Sequence, residues 1–300
     1  MIGLNNLLRP LTTLVGSTET GNFTADCAPN ILIFAKGTFE PGIYGILVGP
    51  SFTSGLPAGW TTAGVAYDVD IPGDFCLGLP GGMVAKDIIN QAAKKCPASN
   101  LFVSGYSQGA MAIRNGLARA DESARARVKG VVTFGDPFNG SPIKGYKGPI
   151  SIFCNTGDGV CTGNFELRPA HLSYGFDTSA GLAQKELFKM AAGNGDQSCC
   201  NPPAPPKLPT PEQWAQTVKA NGGKVPTPNA GTSIADWGNA IAESNGAIPK
   251  FAASEVKGTP KSGAPDVKGT LKSSASGAKG NPKSTTSGAK GTVVGSKMVK

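Results

Sequence analysis

Residues 102–113 read FVSGYSQGAMAI, and the serine between two glycines decides how the chain folds. Before it, Asn100-Leu101-Phe102-Val103 is aromatic and β-branched like a buried strand, while Ala110, Met111, Ala112 and Ile113 begin a helix-forming run. The backbone therefore turns abruptly from strand to helix at Ser107. Gly105 and Gly109 suit such a turn, because a side chain at either place would collide with the neighbouring element. This is the G-x-S-x-G pattern of a nucleophile elbow, which lifts a serine hydroxyl above a sheet with a helix N-terminus beneath it.

Working outward, Ile31–Ala35, Val65–Val69, Leu101–Gly105, Val128–Phe134 and Ile150–Cys154 are short apolar runs, predicted as strands. Longer segments, several of them helical, separate them. Met83 to Lys95 places Val84, Ile88, Ile89 and Ala92 on one face, and Leu182, Leu187, Phe188 and Ala191 do the same further on. Alternation of this kind predicts a parallel sheet covered by helices on both sides. Reactive groups in such sheets gather at the carboxyl ends of the strands, where Ser107 stands.

Composition divides the 300 residues. Residues 1–25 are read as a poorly structured N-terminal segment and 26–200 as the folded domain. A proline-rich linker with short helices follows over 201–250, and 251–300 is expected to be disordered. Beyond Phe251 that tail has no aromatics, and it repeats KGTPKSGAPDV, KGTLKSSASGA and KGNPKSTTSGA at an eleven-residue period. Its nine lysines against Glu255 and Asp266 carry +7 of the formal charge of +8, so the basic character belongs to the tail. Arginine and, after Phe251, stacking aromatics are missing from it, which argues against nucleic acid. A solvated linker, or contact with an anionic wall polymer, fits better. In the linker, Thr210-Pro211-Glu212 reads as a helix start, and Trp214 with Val218 and Trp237 with Ile241 make i, i+4 apolar pairs. Such helices either dock on the main domain or present tryptophans to sugar.

Seven cysteines and the sequons Asn22-Phe23-Thr24 and Asn139-Gly140-Ser141 suit a secreted, extracellular protein. With a single histidine and no Cys-x-x-Cys pair, no metal site is expected, and disulfides are favoured. Joining Cys154 to Cys161 would close an eight-residue loop and stabilise by about 2.5 kcal/mol, and a Cys27–Cys96 bridge by about 4 kcal/mol. Cys76, Cys199 and Cys200 are left without an assigned pairing. Met1 to Val15 contains Asn5, Asn6, Arg9 and Pro10, so no signal peptide is evident, and no run reaches the length of a membrane span.

A serine hydroxyl needs a base, usually histidine oriented by a carboxylate. His171 is the only histidine in the chain. Asp158, in the glycine-rich turn Asn155-Thr-Gly-Asp158-Gly-Val-Cys161, supplies an acid in the chain order Ser, Asp, His; Asp136, in Phe134-Gly-Asp136-Pro137, is the competing acid. Asp158 is favoured because a closed loop would hold it rigidly. For the oxyanion, one donor should be the backbone N–H of Gln108 and the other should come from Lys36-Gly37-Thr38-Phe39-Glu40, with Thr38 offering N–H and hydroxyl.

At this point the chain resembles the cutinase family of serine esterases. The matching residues are Gly105-Tyr-Ser-Gln-Gly-Ala110, Gly157-Asp158-Gly-Val-Cys161, His171-Leu-Ser-Tyr174, Cys96-Pro97 and Cys27, spread over roughly residues 26–193. The resemblance implies an α/β fold, a compact lidless α/β-hydrolase with a central five-stranded parallel sheet. It implies the triad Ser107, Asp158 and His171, an oxyanion hole of Thr38 and Gln108, disulfides 27–96 and 154–161, and an acyl groove lined by Phe165 and Leu167. No cofactor is implied, the partner is an ester substrate, and the chain is expected to act as a monomer.

Three departures stand beside the resemblance. Gly-Ser-Thr-Glu-Thr-Gly-Asn, often found in the family's oxyanion loop, occurs here at 16–22, on the wrong side of Cys27, and is read as a decoy. Thr38 replaces serine in the loop itself. Glu166 and Arg168 add charge near the groove. The expected activity is hydrolysis of cutin-like polyester or short acyl esters. The alternatives are deacetylation of xylan, in which glycine is commoner where Ala110 stands, and a non-catalytic wall-associated protein.

Overall fold

The structure, a computed structural model, describes residues 21–195, 208–244 and 246–249. Expectations for residues 1–20, for Cys199, Cys200 and the proline run that follows, and for the repeat tail lie outside the described residues. In chain order the elements are β1 (Asn30–Ala35), α1 (Gly49–Ser54), β2 (Trp60–Gly64), α2 (Ile71–Phe75), α3 (Leu79–Lys95), β3 (Asn100–Tyr106), α4 (Gln108–Arg119), α5 (Glu122–Arg125), β4 (Val128–Phe134), β5 (Ile150–Phe153), α6 (Ser179–Ala191), α7 (Pro211–Ala220) and α8 (Ile234–Glu243).

The five strands form one parallel sheet in the order β2-β1-β3-β4-β5. Alternate residues of the central strands face opposite layers, as the period of a strand dictates. Ile31, Ile33, Leu101, Val103 and Val131 pack against Val84, Ile88 and Ile89 of α3 and Ala112 and Ile113 of α4. On the other face Leu32, Phe34, Phe102, Val132 and Phe134 meet Phe52 of α1 and Ala183, Leu187 and Met190 of α6. Burying each of the larger side chains stabilises by about 1.5–3 kcal/mol, and the two layers together fix the strand ends that carry the site.

Two sequence expectations need correction. The second strand is Trp60–Gly64, not Val65–Val69: Trp60-Thr61-Thr62 is as aromatic and β-branched as the later run, and it pairs in register with Asn30, Ile31 and Leu32. Val65 and Tyr67 are buried all the same, because the chain there leaves the sheet and crosses over the α3 side of the core. On α6, Leu182 is 47% exposed, and the inward face belongs to Ala180, Ala183, Leu187 and Met190. Glycine and alanine around Leu182 leave the helix with two weak apolar stripes, and the smaller side chains take the inner one.

Trp214 and Trp237 are not presented to solvent. Both are buried in a third cluster with Cys76, Leu77, Leu79, Met111 and Phe138 of the main body. Helix α7 begins with a capping box in which Thr210 and Gln213 bond reciprocally, and α8 begins with Ser233 accepting from the N–H of Asp236. Among the described residues two disulfides are formed, Cys27–Cys96 and Cys154–Cys161, and Cys76 is free and buried. Asn22 and Asn139 of the two sequons are exposed. Among the described residues no helix is long and apolar enough to cross a membrane, and no group of His, Cys, Asp and Glu could hold a metal ion.

Candidate active site

Ser107 joins β3 to α4 with φ 57° and ψ −121°. A residue with a side chain adopts this region only under constraint, at a cost on the order of 1–3 kcal/mol. The constraint is close packing: a Cβ at Gly105 would lie 2.3 Å from the Gly109 carbonyl oxygen, and one at Gly109 would lie 2.1 Å from that of Ala35. The Ser107 N–H donates to the Phe134 carbonyl at 3.0 Å and ties the turn to β4.

His171 lies in a 3-10 turn, Pro169–Leu172, beyond the loop after β5. Its Nε2 is 2.8 Å from Ser107 Oγ and its Nδ1 is 2.8 Å from Asp158 Oδ2. An ionised Asp158 can only accept, so Nδ1 carries the proton and Nε2 presents its lone pair to the serine hydroxyl. Asp158 is fixed in turn by the Tyr174 hydroxyl, which donates to Oδ2 at 2.5 Å, and by the Val160 N–H, which donates to Oδ1 at 2.9 Å. Burial alone would raise this carboxyl, but its electrostatic attraction to the His171 ring and the hydrogen bonds from His171, Tyr174 and the Val160 N–H outweigh it and hold it below the usual carboxylate range. The Cys154–Cys161 bridge closes the same loop.

The imidazole is supported from two sides. Tyr106 stacks on it with ring centroids 5.1 Å apart, and its hydroxyl donates to the His171 carbonyl at 2.8 Å. Gly135, with φ 53°, passes so close that a Cβ there would lie 2.5 Å from His171 Cε1. Only a residue without a side chain lets the ring occupy that place.

Asp136, the competing acid, is fully buried and engaged elsewhere. Its Oδ2 accepts from Arg114 Nε at 2.7 Å and from the Thr133 hydroxyl at 2.8 Å, and its Oδ1 from the Phe138 N–H at 2.9 Å. It holds β4 to α4 and the following loop.

Thr38 and Gln108 come together beside Ser107. Gln108 Nε2 lies 3.4 Å from Thr38 Oγ1 and donates to the Asp70 carbonyl at 2.7 Å. No acceptor among the described residues takes the backbone N–H of Thr38 or of Gln108, so both remain available to an incoming oxygen. The Thr38 hydroxyl donates to Asp74, whose two oxygens lie 3.0 and 2.9 Å away. Burial pushes the Asp74 carboxyl up to about 7, against the hydrogen bonds from Gln108 and Thr38 that favour its charge. Glu40 shapes the loop from inside: its oxygens accept from the N–H groups of Gly37 at 2.6 Å, Ile46 at 2.9 Å and Leu47 at 2.8 Å. Gly21 and Asn22, the described end of the decoy heptapeptide, lie against α3, with a Cβ at Gly21 falling 2.3 Å from the Val84 carbonyl.

A groove of about 300 Å³ opens over Ser107 and His171. Phe165 and Leu167 line it together with Phe39, Phe75, Met111 and Ile234. Glu166 and Arg168 turn away from this lining and pair with each other at 2.9 Å on the surface. Ala110 is fully buried in α4 and is not part of the lining, so its methyl group does not reach the groove. Asp74, Tyr106, Tyr174 and Ile234 join the site without a role assigned from the sequence. Tyr106 and Tyr174 stand inside the Gly105–Ala110 and His171–Tyr174 motifs; nothing local marks Asp74 or Ile234.

A serine, an imidazole and a carboxylate in one hydrogen-bonded line at the carboxyl end of a parallel sheet is the arrangement of an α/β-hydrolase. The sequence profile of the family described as Cutinase matches residues 26–185. The cutinase of Botryotinia fuckeliana is 36% identical over 197 residues, 63% of this chain and 96% of that protein. Cutinase 4 of Emericella nidulans is 37% identical over 190 residues, 61% of this chain and 82% of its own length. Among solved structures, the Trichoderma reesei cutinase in complex with a C11Y4 phosphonate inhibitor superposes with a TM-score of 0.52 at 28% identity, covering 60% of this chain and 83% of that one. The chain belongs to the cutinase family. Members of that family are carboxylic ester hydrolases, and this chain is one.

Proposed function

We propose that the chain is an extracellular serine esterase that cleaves cutin-like polyester or short acyl esters through an acyl-enzyme on Ser107. His171 Nε2 takes the hydroxyl proton as Ser107 Oγ attacks the ester carbonyl, and Asp158 stabilises the imidazolium that forms. The carbonyl oxygen, now carrying the negative charge, accepts from the backbone N–H groups of Thr38 and Gln108. Collapse of this intermediate breaks the bond to the alcohol, which leaves with the proton from His171. Water then enters, gives a proton to His171 and attacks the acyl carbon. The acid departs and the proton returns to Ser107 Oγ.

The observation that carries this reading is the 2.8 Å contact on each side of the His171 ring, to Ser107 and to Asp158. The groove supports an apolar acyl group: Phe39 and Leu167, at its rim, are each 67% exposed and offer an apolar surface to an ester held in a polymer. The two disulfides and the exposed sequon asparagines support an extracellular site of action. The chain is taken to work as a monomer on this substrate, and its basic tail to supply any contact with wall polymer.

Hydrolysis of p-nitrophenyl butyrate by the chain and by Ser107→Ala tests the mechanism, and release of acetate from acetylated xylan tests the substrate. The variant should retain under about one part in a thousand of the rate. An unchanged rate would remove Ser107 from the mechanism, and activity on acetylxylan alone would replace the polyester reading with xylan deacetylation.

A further inference from the structure

The family match ends at residue 185, yet the chain beyond it reaches the groove. Ile234, the first residue of α8, is 1% exposed and lines the same groove as Ser107 and His171. Its N–H donates to the Gly163 carbonyl at 2.7 Å. Trp237, nearly one turn further along α8, donates its indole N–H to the Phe75 carbonyl at 2.8 Å. Helix α8 thus spans two segments whose rings, Phe75 and Phe165, meet edge to face at 5.5 Å and both line the groove. Behind Ile234 stand Trp214, Trp237 and Ile241, packed in one cluster with Met111.

The lining runs from exposed Phe39 and Leu167 to Met111 and Ile234, which are 2% and 1% exposed. Its polar side chains are Thr38, Asp74, Tyr106, Ser107 and His171 around the reacting centre, and Asn164, whose amide donates to Thr162. The buried part near Met111 and Ile234 therefore offers a hydrocarbon surface and suits a group of the same kind.

We propose that Ile234 is a specificity-determining residue that walls the buried end of the acyl subsite, so that the C-terminal helix pair sets how long an aliphatic acyl chain the enzyme accepts. The proposal rests on the reading of Ser107 as nucleophile, because an acyl carbon bonded there places its chain in this groove. A shorter side chain at 234 leaves room for further methylenes against Met111 and Phe165; a larger one removes it.

The full-length chain and its Ile234→Ala, Ile234→Val and Ile234→Phe variants are compared on p-nitrophenyl butyrate and p-nitrophenyl decanoate. The kcat/KM ratio of decanoate to butyrate should rise at least about fivefold in Ile234→Ala, rise by less in Ile234→Val and fall at least about fivefold in Ile234→Phe, since one methylene in an apolar pocket alters kcat/KM by about tenfold or more. Thermal melts followed by circular dichroism identify any variant that does not fold, and the loss of one methyl in Ile234→Val keeps the comparison open. A ratio within about twofold of the starting value in the folded variants, or an equal fall on both esters, overturns the proposal and leaves the esterase reading standing. No turnover of either ester by the unaltered chain removes both.

Discussion

The Thr38 hydroxyl donates to Asp74, whose carboxyl oxygens lie 3.0 and 2.9 Å away, next to the two backbone N–H groups that no described acceptor takes. A carboxylate can only accept. When Asp74 is charged, it holds the Thr38 proton and places a negative charge beside the N–H groups of Thr38 and Gln108 that are proposed to hold the carbonyl oxygen. When it is neutral, its own O–H can donate and leave the Thr38 hydroxyl free to turn.

Asp74→Asn should therefore change the pH dependence of the enzyme. The folded-state carboxyl is raised, mainly by burial, from 3.8 to about 7. Between those values the folded chain holds a proton that the unfolded chain has lost, so stability falls as pH rises through that window. The asparagine variant should gain stability over the original by about 2 kcal/mol at pH 8 and little below pH 4, allowing for a site that opens on a groove. The ratio of kcat/KM, variant over original, should climb between about pH 6 and 8 on p-nitrophenyl butyrate, which cancels any titration common to both. Paired urea melts and pH-rate profiles check this, and a ratio flat with pH would detach Asp74 from the oxyanion loop.

Asp158→Asn should cost about 10³–10⁴ in kcat, because an amide beside Nδ1 stabilises the wrong tautomer of His171 and no imidazolium. Its effect on stability has the opposite sign from that of Asp74. The carboxyl is depressed below 3.8 in the fold, so its contribution is present above that value and is lost as pH falls through the lower folded one. The stability gap between variant and original should thus be widest near neutrality and shrink below pH 4. Tyr174→Phe, which deletes the 2.5 Å bond to Oδ2, should show a smaller loss of stability in the same direction, of about 1–2 kcal/mol.

Gly135→Ala places a methyl group where the His171 ring now lies, 2.5 Å from Cε1, at a residue with φ 53°. The ring must tilt away from Ser107, and a displacement of about 1 Å costs on the order of a hundredfold in rate. KM should move much less than kcat. Steady-state kinetics on p-nitrophenyl butyrate give both numbers, and an unchanged kcat would mean that the ring has room to move aside without leaving Ser107.

The two disulfides should separate stability from activity. Replacing Cys27 and Cys96 by alanine opens a bridge with sequence separation 69, and replacing Cys154 and Cys161 opens one with separation 7. Loop entropy assigns about 4 kcal/mol to the first and about 2.5 kcal/mol to the second. Only the second encloses Asp158. The long-loop variant should therefore melt lower and keep its kcat, while the short-loop variant should melt higher and lose more of its kcat. Calorimetry and kinetics on the two double variants check this crossing.

Much of the candidate site was legible in the sequence because its constraints are local or numerical. Glycines at 105 and 109 announce the turn at Ser107, one histidine leaves one candidate base, and Asp158 sits in a short loop between two cysteines. Four strands were legible for the same reason, as isolated apolar runs. The second strand was misplaced because Val65 gives the ladder only its last hydrogen bond, to the Phe34 carbonyl, and Tyr67 lies beyond it; both are buried, and burial is what an apolar run reports. Asp74 could not be read at all, since its meaning depends on Thr38, 36 residues away, across a contact made only in the folded chain. Ile234 is further removed still: α8 looks like any capped amphipathic helix until Gly163 and Phe75 are seen against it.

Glu40 has a bearing on how freely this loop can change. Because one buried carboxylate gathers the N–H groups of Gly37, Ile46 and Leu47, the backbone path around Thr38 is set from within, and the outward side chains of Phe39, Ile43 and Ile46 are relieved of that duty. Those three positions can thus drift between grease and charge, or between aromatic rings and small groups, while the path of the chain beneath them stays in register.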